Sequence, residues 1–546
     1  MNSLTNRRNA LKHTLATCVS LLTGIGCAKQ RQQTDEPTPP ELKFQSQRPE
    51  SIFSRLHTPV IFTTDGNVRQ VSLPVEIWAK GLVSYTVSVK DPDALNVEAG
   101  ADDDLFMTPL NSDLTWTTVK VTGFAAGLTA TTEITVHFNQ VMVQNSSSLS
   151  LYCDKMSYQP GEHISVHVSS DSPAFDLDIF RLDGNAQQSI WSESEVRGMR
   201  QNYRRSASST GAAWHSSALI PVDSAWTSGI YVVRVSVGRT ERSFPVVIRD
   251  LPDRQAPVVF LASTNTWNAY NSWGGASAYR YYLEDGTSKA AESILSYQRP
   301  LSIAIDNRED HLVGGEIEIL NWLHTNGIKF SVISDSDLHH ENVLAKAKVL
   351  VTGPHPEYWS ENMRDRLDSF LDSGGSLAYL GANGLYKRVD INDRGQMEVV
   401  MDGSRHKFTN EKGGFWRDLG RPEQRVLGVQ YSPAGYNTYA PYEVRTPDHW
   451  LFSGTGVEAG AKIGVGNGYR DASGWELDQQ GPASPANSVL LAKGMNPGGT
   501  GAEMSYYDHP GGGGIFAAGS LTFARALSGD SVLSGMIRNF FDRFLK

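Results

Sequence analysis

The apolar pattern changes character once along this chain, near Pro252, and that switch limits the fold more than any other feature. Before it, apolar and polar residues alternate in short runs. Val71-Ser72-Leu73-Pro74-Val75-Glu76-Ile77 and Glu133-Ile134-Thr135-Val136-His137-Phe138 each place apolar side chains on one face of a strand. The alternation returns in His163-Ile164-Ser165-Val166-His167-Val168, after the turn Tyr158-Gln159-Pro160-Gly161-Glu162. The unit closes with Ser228 to Val235 and then Phe244 to Ile248. Turn residues separate the runs, which predicts two β-sandwich domains, 56–147 and 148–251. No repeat period suggests a propeller or solenoid.

Beyond Pro252 the runs become continuous. Pro257-Val258-Val259-Phe260-Leu261 reads as a strand covered on both faces. Ser302-Ile303-Ala304-Ile305, Phe330 to Ile333, Lys348 to Gly353 and Ser376 to Leu380 are further strand candidates. Ile317, Leu320, Trp322 and Leu323, and later Met363, Leu367 and Leu371, recur at helical spacing. Alternating strand and helix predicts an α/β domain over 252–546, with a mostly parallel sheet and helices on both sides. After about Val389 the chain is Gly-rich and less regular. It reads as decoration of that sheet, ending in a helix from about Ser531 to Leu545.

Composition excludes some partners. Charged residues make up 20% and hydrophobic ones 40%, ordinary globular usage. Lys and Arg number 49 against 59 Asp and Glu, a balance of −10 with no basic block, which argues against nucleic acid. Residues 1–26 look like an address: Asn6-Arg7-Arg8-Asn9-Ala10-Leu11-Lys12 resembles the bacterial twin-arginine export signal. The weakly apolar stretch Thr14 to Gly26 follows, too short for an ordinary spanning helix. It runs into Leu22-Thr23-Gly24-Ile25-Gly26-Cys27, similar to a lipoprotein signal with Cys27 as the lipidated residue. The expectation is a periplasmic or membrane-anchored protein, with soluble periplasmic release as the rival. Residues 27–55 read as a polar linker.

Several common chemistries are absent. The sequence has no phosphate loop, His-Glu-x-x-His, Cys-x-x-Cys or Gly-x-Ser-x-Gly elbow. In an open parallel sheet, ligands bind beyond the carboxyl ends of strands. Three polar segments fall at such ends: Asn265-Thr266-Trp267-Asn268-Ala269-Tyr270-Asn271, His355-Pro356-Glu357-Tyr358-Trp359 and Gly381-Ala382-Asn383-Gly384-Leu385-Tyr386. If their strands are neighbours, the segments converge on one rim.

These three segments, with Gly474-Trp475-Glu476-Leu477-Asp478, resemble the large (beta) subunit of the bacterial N,N-dimethylformamidase family. The resemblance covers roughly Ser150 to the C-terminus. It implies a C-terminal domain like the class I glutamine amidotransferases, of flavodoxin-like type. The cysteine nucleophile of that fold has no counterpart here, since the α/β region contains no Cys. It further implies an amidohydrolase with one ferric iron held by two tyrosines and a glutamate. Carried over, the ligands would be Tyr231, Tyr270 and Glu357, with His355, Asn383 and Glu476 completing the substrate and water site. The family also carries a small partner subunit, so an oligomer is expected.

The implied site is chemically coherent. Two phenolates and a carboxylate balance a trivalent cation, and all are hard oxygen donors. Three protein ligands leave positions for water and an amide carbonyl. His355 or Glu476 would serve as general base, and Asn383 as donor to the oxyanion. Each residue also has an ordinary reading. Tyr231 fits a core or corner tyrosine and Tyr270 a packing aromatic. His355 and Glu357 fit a solvated strand end, Asn383 a turn with positive φ, and Glu476 a surface carboxylate. Tyr358 and Tyr386 are reserve candidates. The leading function is hydrolysis of a non-peptide C–N bond in a small amide. The rivals are a surface-anchored binding protein with a degenerate site, and an enzyme of this architecture acting on a glycan or lipid headgroup.

Overall fold

The computed structural model describes residues 145–546 apart from 146, 185–188, 205, 280–289, 292, 304, 306, 308–309, 401–402 and 467–469, and before residue 145 chiefly the backbone of eight strands. The signal expected at 1–26 and the lipidation expected at Cys27 lie outside the described residues. Among the described residues, no helix is long and apolar enough to cross a membrane.

The chain divides into two compact units. The first comprises Met1–Gln144 with Asn202–Arg205. It contains a four-stranded antiparallel sheet of Glu41–Phe44, Val71–Trp78, Asp104–Pro109 and Leu95–Ala99, in that spatial order. A three-stranded antiparallel sheet is built from Ser84–Val89, Thr117–Ala125 and Leu128–Val136. Glu41–Phe44 falls inside the stretch expected to be a polar linker. Its Glu-Leu-Lys-Phe alternation suits a strand, and it pairs with Val71–Trp78.

The second unit comprises Asn145–Gln201 with Ser206–Lys546. Its all-β part has a sheet of Leu149–Cys153, His163–Ser170 and Ala218–Pro221, and a five-stranded sheet built around Gly229–Val237 and Thr240–Ile248. The expected alternation is visible in burial: Ile164, Val166 and Val168 are buried, as are Leu177 and Ile179. Ile230 and Val247 of this part join the same apolar cluster as the large sheet.

The large sheet has nine strands. In chain order they are β1 Val258–Ala262, β2 Phe330–Ser334, β3 Val349–Thr352, β4 Ser376–Tyr379, β5 Tyr442–Val444, β6 Lys462–Ile463, β7 Val489–Gly494, β8 Glu503–Asp508 and β9 Gly514–Ala517. In space they run β2-β1-β3-β4-β9-β8-β7-β5-β6. Pairings from β2 through β9 are parallel, and those from β9 through β6 are antiparallel. The sheet is therefore mixed, and the expectation of a mostly parallel one is met on one half. The Gly-rich region does not merely decorate it, because it supplies five of the nine strands. Most of these strands are short and broken by turns, so no long apolar run announces them.

Helices cover both faces of the parallel half. On one face, α2 (Val313–Thr325) and α5 (Ser531–Phe544) bury Leu320, Trp322, Leu323, Met536, Ile537 and Phe540 over Val258, Phe260, Val349 and Val351. On the other, α3 (Asp335–His340) and α4 (Glu361–Asp372) bury Leu338, Met363, Leu367 and Leu371 over Val259, Leu261, Leu350 and Leu377. Successive residues of one strand point to opposite faces, so both neighbours in a run such as Val258-Val259 must be apolar. The strand expected at Ser302–Ile305 is absent among the described residues there. Asn271 takes the Ser302 amide at 3.0 Å, which removes that donor from any ladder, and Ile303 and Ile305 pack against the core from a loop.

Candidate functional site

Three strand ends build the rim, and β1, β3 and β4 are direct neighbours. From β1 the chain enters a short helix, α1 (Thr264–Tyr270), whose first turn is tied down by buried carboxylates. Asp335 accepts from the Asn265 amide at 2.7 Å, and Glu316 accepts from the Ser263 amide at 2.9 Å and the Trp267 indole at 3.2 Å. The loop after β3 locks onto α1. The Thr266 hydroxyl donates to the His355 carbonyl at 2.9 Å, and the Asn265 side-chain Nδ2 to the Tyr358 carbonyl at 3.0 Å. The loops after β3 and β4 cross at two glycines. A Cβ on Gly381 would stand 2.0 Å from the Pro354 carbonyl oxygen, and one on Gly353 would stand 2.5 Å from that of Leu380.

Within this frame the side chains meet. The Tyr279 hydroxyl lies 3.0 Å from both oxygens of Glu357 and also contacts the Tyr358 hydroxyl. The Tyr270 and Tyr279 rings are 4.7 Å apart, centre to centre. His355 Nε2 sits 3.3 Å from Glu357 and 3.4 Å from Glu476. Asn383 Nδ2 donates to Glu476 at 2.8 Å and lies 3.4 Å from His355 Nε2. Asn383 has φ +53°, and its amide donates to Asp478 at 2.9 Å. Asp478 also accepts from the Tyr379 hydroxyl at 2.8 Å. The turn expected of Asn383 and the contact with His355 and Glu476 are thus both present in one residue.

Five of the six residues singled out from the sequence share this cluster: Tyr270, His355, Glu357, Asn383 and Glu476. Tyr231 does not. It stands in the strand Gly229–Val237, donates to the Thr227 carbonyl at 2.7 Å, and stacks on Trp226 beneath Arg181. The local pattern Ser-Gly-x-Tyr here produces a corner tyrosine. The second phenol at the rim is Tyr279. It follows the Gly274-Gly275 turn in the same loop as Tyr270, so the available signal is another tyrosine just past a chain reversal. His311 also escapes the sequence reading; its ring packs 5.0 Å from those of Tyr270 and His355, and 4.5 Å from Trp475. Lys387 is a third, buried beside Glu357, with its ammonium over Phe415 at 4.3 Å. Tyr386, a reserve candidate, packs against Phe415 and Tyr431.

The electrostatics describe a site short of positive charge. Burial, and then the charge of Glu476, push Glu357 up to about 8, and the Lys387 ammonium offsets this only in part. Burial and Glu357 hold both Tyr270 and Tyr279 well above the ordinary phenol value. Burial also works against the charge of Glu476, yet His355 and the Asn383 hydrogen bond outweigh it and keep that carboxyl below the usual range. Two phenols and two carboxyls therefore face one another in one buried cluster. A hard cation fits this donor set, since it would compensate the charge left over. Tyr270, Tyr279 and Glu357 are the residues placed to hold it. Among the described residues, no group of three or more His, Cys, Asp and Glu side chains could hold a metal ion, so a site here depends on the phenols. His355 Nδ1 and Asn383 Oδ1 are buried and have no hydrogen-bond partner among the described residues. They are the atoms free to meet a bound molecule.

Comparison with known proteins identifies the family. A family model described as N,N-dimethylformamidase beta subunit-like, C-terminal, matches residues 176–536. The N,N-dimethylformamidase beta subunits of Alcaligenes sp and Paracoccus aminophilus are each 26% identical to this chain over 429 residues, covering 61% of it. The chain spans about half the length of these curated relatives, 54% in each case. Among solved structures, the mmIFT52 N-terminal domain aligns with a TM-score of 0.26 and 10% identity over 42% of this chain and 90% of its own. The I67-I69 fragment of titin aligns at 0.16 and 11% identity, over 42% of this chain and 73% of its own.

Proposed function

The chain belongs to the N,N-dimethylformamidase beta subunit-like family, and from that premise we propose that it hydrolyses a non-peptide C–N bond in a small amide. The observation that carries this reading is the meeting of Tyr270, Tyr279 and Glu357 beside His355, Asn383 and Glu476 on one rim. Tyr270, Tyr279 and Glu357 would hold a ferric ion, which when bound supplies Lewis acidity toward a carbonyl oxygen or a water. The remaining residues do ordinary acid–base work. Glu476, kept ionised, accepts a proton from the attacking water. Asn383 fixes the rotamer of Glu476 through the 2.8 Å bond. His355, within reach of both carboxylates, passes a proton to the departing amine as the C–N bond breaks. Trp475 packs on His311, and Tyr386 on Tyr431, beside the cluster.

The strand order of the parallel half, 2-1-3-4-5 in its own chain order, supports reading this domain as doubly wound, of the flavodoxin or class I glutamine-amidotransferase kind. The site then lies where such sheets bind ligands. The test is direct. Purified full-length chain is loaded with ferric ion and offered a panel of N-alkyl formamides and acetamides, and released amine is measured. Glu476→Gln is expected to lower kcat by about 100-fold or more. A loaded chain that releases no amine from any member of the panel overturns the proposal.

A further inference from the structure

The two phenols of the site bound one loop, Tyr270 ending α1 and Tyr279 nine residues on, and something must hold that loop in shape. Arg299 is fully buried, and its guanidinium spreads across the turns between Tyr270 and Tyr279. Its Nη2 donates to the Asn268 carbonyl at 3.2 Å and to Asn268 Oδ1 at 3.1 Å, two residues before Tyr270. Its Nη1 donates to the Trp273 carbonyl at 2.7 Å and to the Ala276 carbonyl at 3.1 Å, three residues before Tyr279. Its Nε donates to the Ser296 carbonyl at 2.9 Å, which anchors the fork in its own segment. Two further bonds complete the closure. The Ala278 amide reaches the Ala269 carbonyl at 3.0 Å, and Asn271 Nδ2 donates to the Pro300 carbonyl at 2.9 Å, next to Arg299.

We propose that Arg299 is a positioning residue that sets the separation of the Tyr270 and Tyr279 hydroxyls, and so decides whether the pocket can bind a ferric ion through both. This rests on the reading of the site given above. Only a guanidinium can fill this role: it is planar, offers five donors in a fixed fork, and keeps its charge when buried. A lysine at 299 offers three donors on one atom and cannot reach the ends of α1 and of the Trp273–Ala276 turn together. These bonds go to backbone carbonyls and to Asn268, so through them Arg299 acts on the phenols by way of the chain on either side of them.

The experiment uses the full-length chain, wild type, Arg299→Lys and Asn268→Ala. The second variant removes one side-chain acceptor and leaves the arginine in place, which keeps the test open should the lysine variant fail to fold. Ferric citrate is titrated in, and the tyrosinate-to-iron visible band is recorded. Amide exchange across 264–279 and the melting temperature are measured without metal. In Arg299→Lys, exchange in that segment is expected to rise at least ~10-fold while β1 and β3 stay protected. The band should fall below half its wild-type intensity or shift its maximum, and Asn268→Ala should show both changes in smaller degree. Wild-type exchange and an unchanged band in either folded variant overturn the proposal. Faster exchange with an unchanged band also overturns it, since the clamp would then be merely structural. A wild-type chain that shows no band overturns the iron reading itself, and the role of Arg299 falls with it.

Discussion

Tyr279 and Tyr231 separate a phenol that faces the site from one that does not. Tyr279→Phe removes the hydroxyl that bridges Glu357 and Tyr358. It is expected to abolish the tyrosinate-to-iron band or halve it, and to cut amide hydrolysis by about 100-fold or more. Tyr231→Phe loses one hydrogen bond to the Thr227 carbonyl, a cost of about 1 kcal/mol in stability, with turnover and band as in wild type. Equal losses of the band in both variants would refute the assignment. Tyr270, His355, Glu357 and Asn383 are legible in the sequence because their segments follow apolar runs at strand ends, whereas Glu476 is reached only through the family resemblance. The error at Tyr231 has a local cause, since four residues of sequence specify a turn and a tyrosine equally well in a β-sandwich corner and in a ligand loop. What distinguishes Tyr279 is its distance to Glu357, 78 residues away in sequence, and no local pattern encodes that.

At the scale of elements, the first four strands of the parallel half are readable from sequence, and β9 and the antiparallel half are not. β1 to β4 are double-faced and therefore continuous in apolar residues, and the helices between them carry clear helical spacing. β5 and β6 are two or three residues long and sit among turns, so neither period nor length marks them. The helix α5 is legible to within a residue at each end, and its start shows why. Asp530 accepts from the Val532 and Leu533 amides at 2.9 and 3.0 Å, and its other oxygen takes the Gly464 amide at 2.6 Å. One cap therefore serves both a helix and the segment beside β6. Asp530→Ala is expected to cost about 1–2 kcal/mol, read as a lower urea midpoint with an unchanged slope. A midpoint equal to wild type would mean that the cap contributes nothing.

For the whole molecule, the cluster of acids leaves a trace in stability. Glu357 takes up a proton on folding, because burial and Glu476 raise it from the ordinary carboxylate value to about 8. Between those two values the folded chain holds more protons than the unfolded one, so stability falls as pH rises through that window. The metal-free chain is expected to lose melting temperature from about pH 4.5 toward pH 8 more steeply than Glu357→Gln does. Ferric loading should flatten the wild-type curve, since the ion takes the place of the proton. Parallel curves for the two metal-free proteins would show that Glu357 does not titrate in this way.

The order in which the chain supplies its parts also matters. The strand that flanks β4 is β9, drawn from residues 514–517. The segment bearing Glu476 is stitched to the residues just past β9: the Asp478 amide donates to the Gly519 carbonyl at 2.9 Å, and Leu477 bridges Ser520. A nascent polypeptide that has emerged only as far as residue 500 carries all three loops of the rim but neither brace for Glu476. The segment that carries Glu476 therefore waits for residues 519–520 before it is braced on both sides.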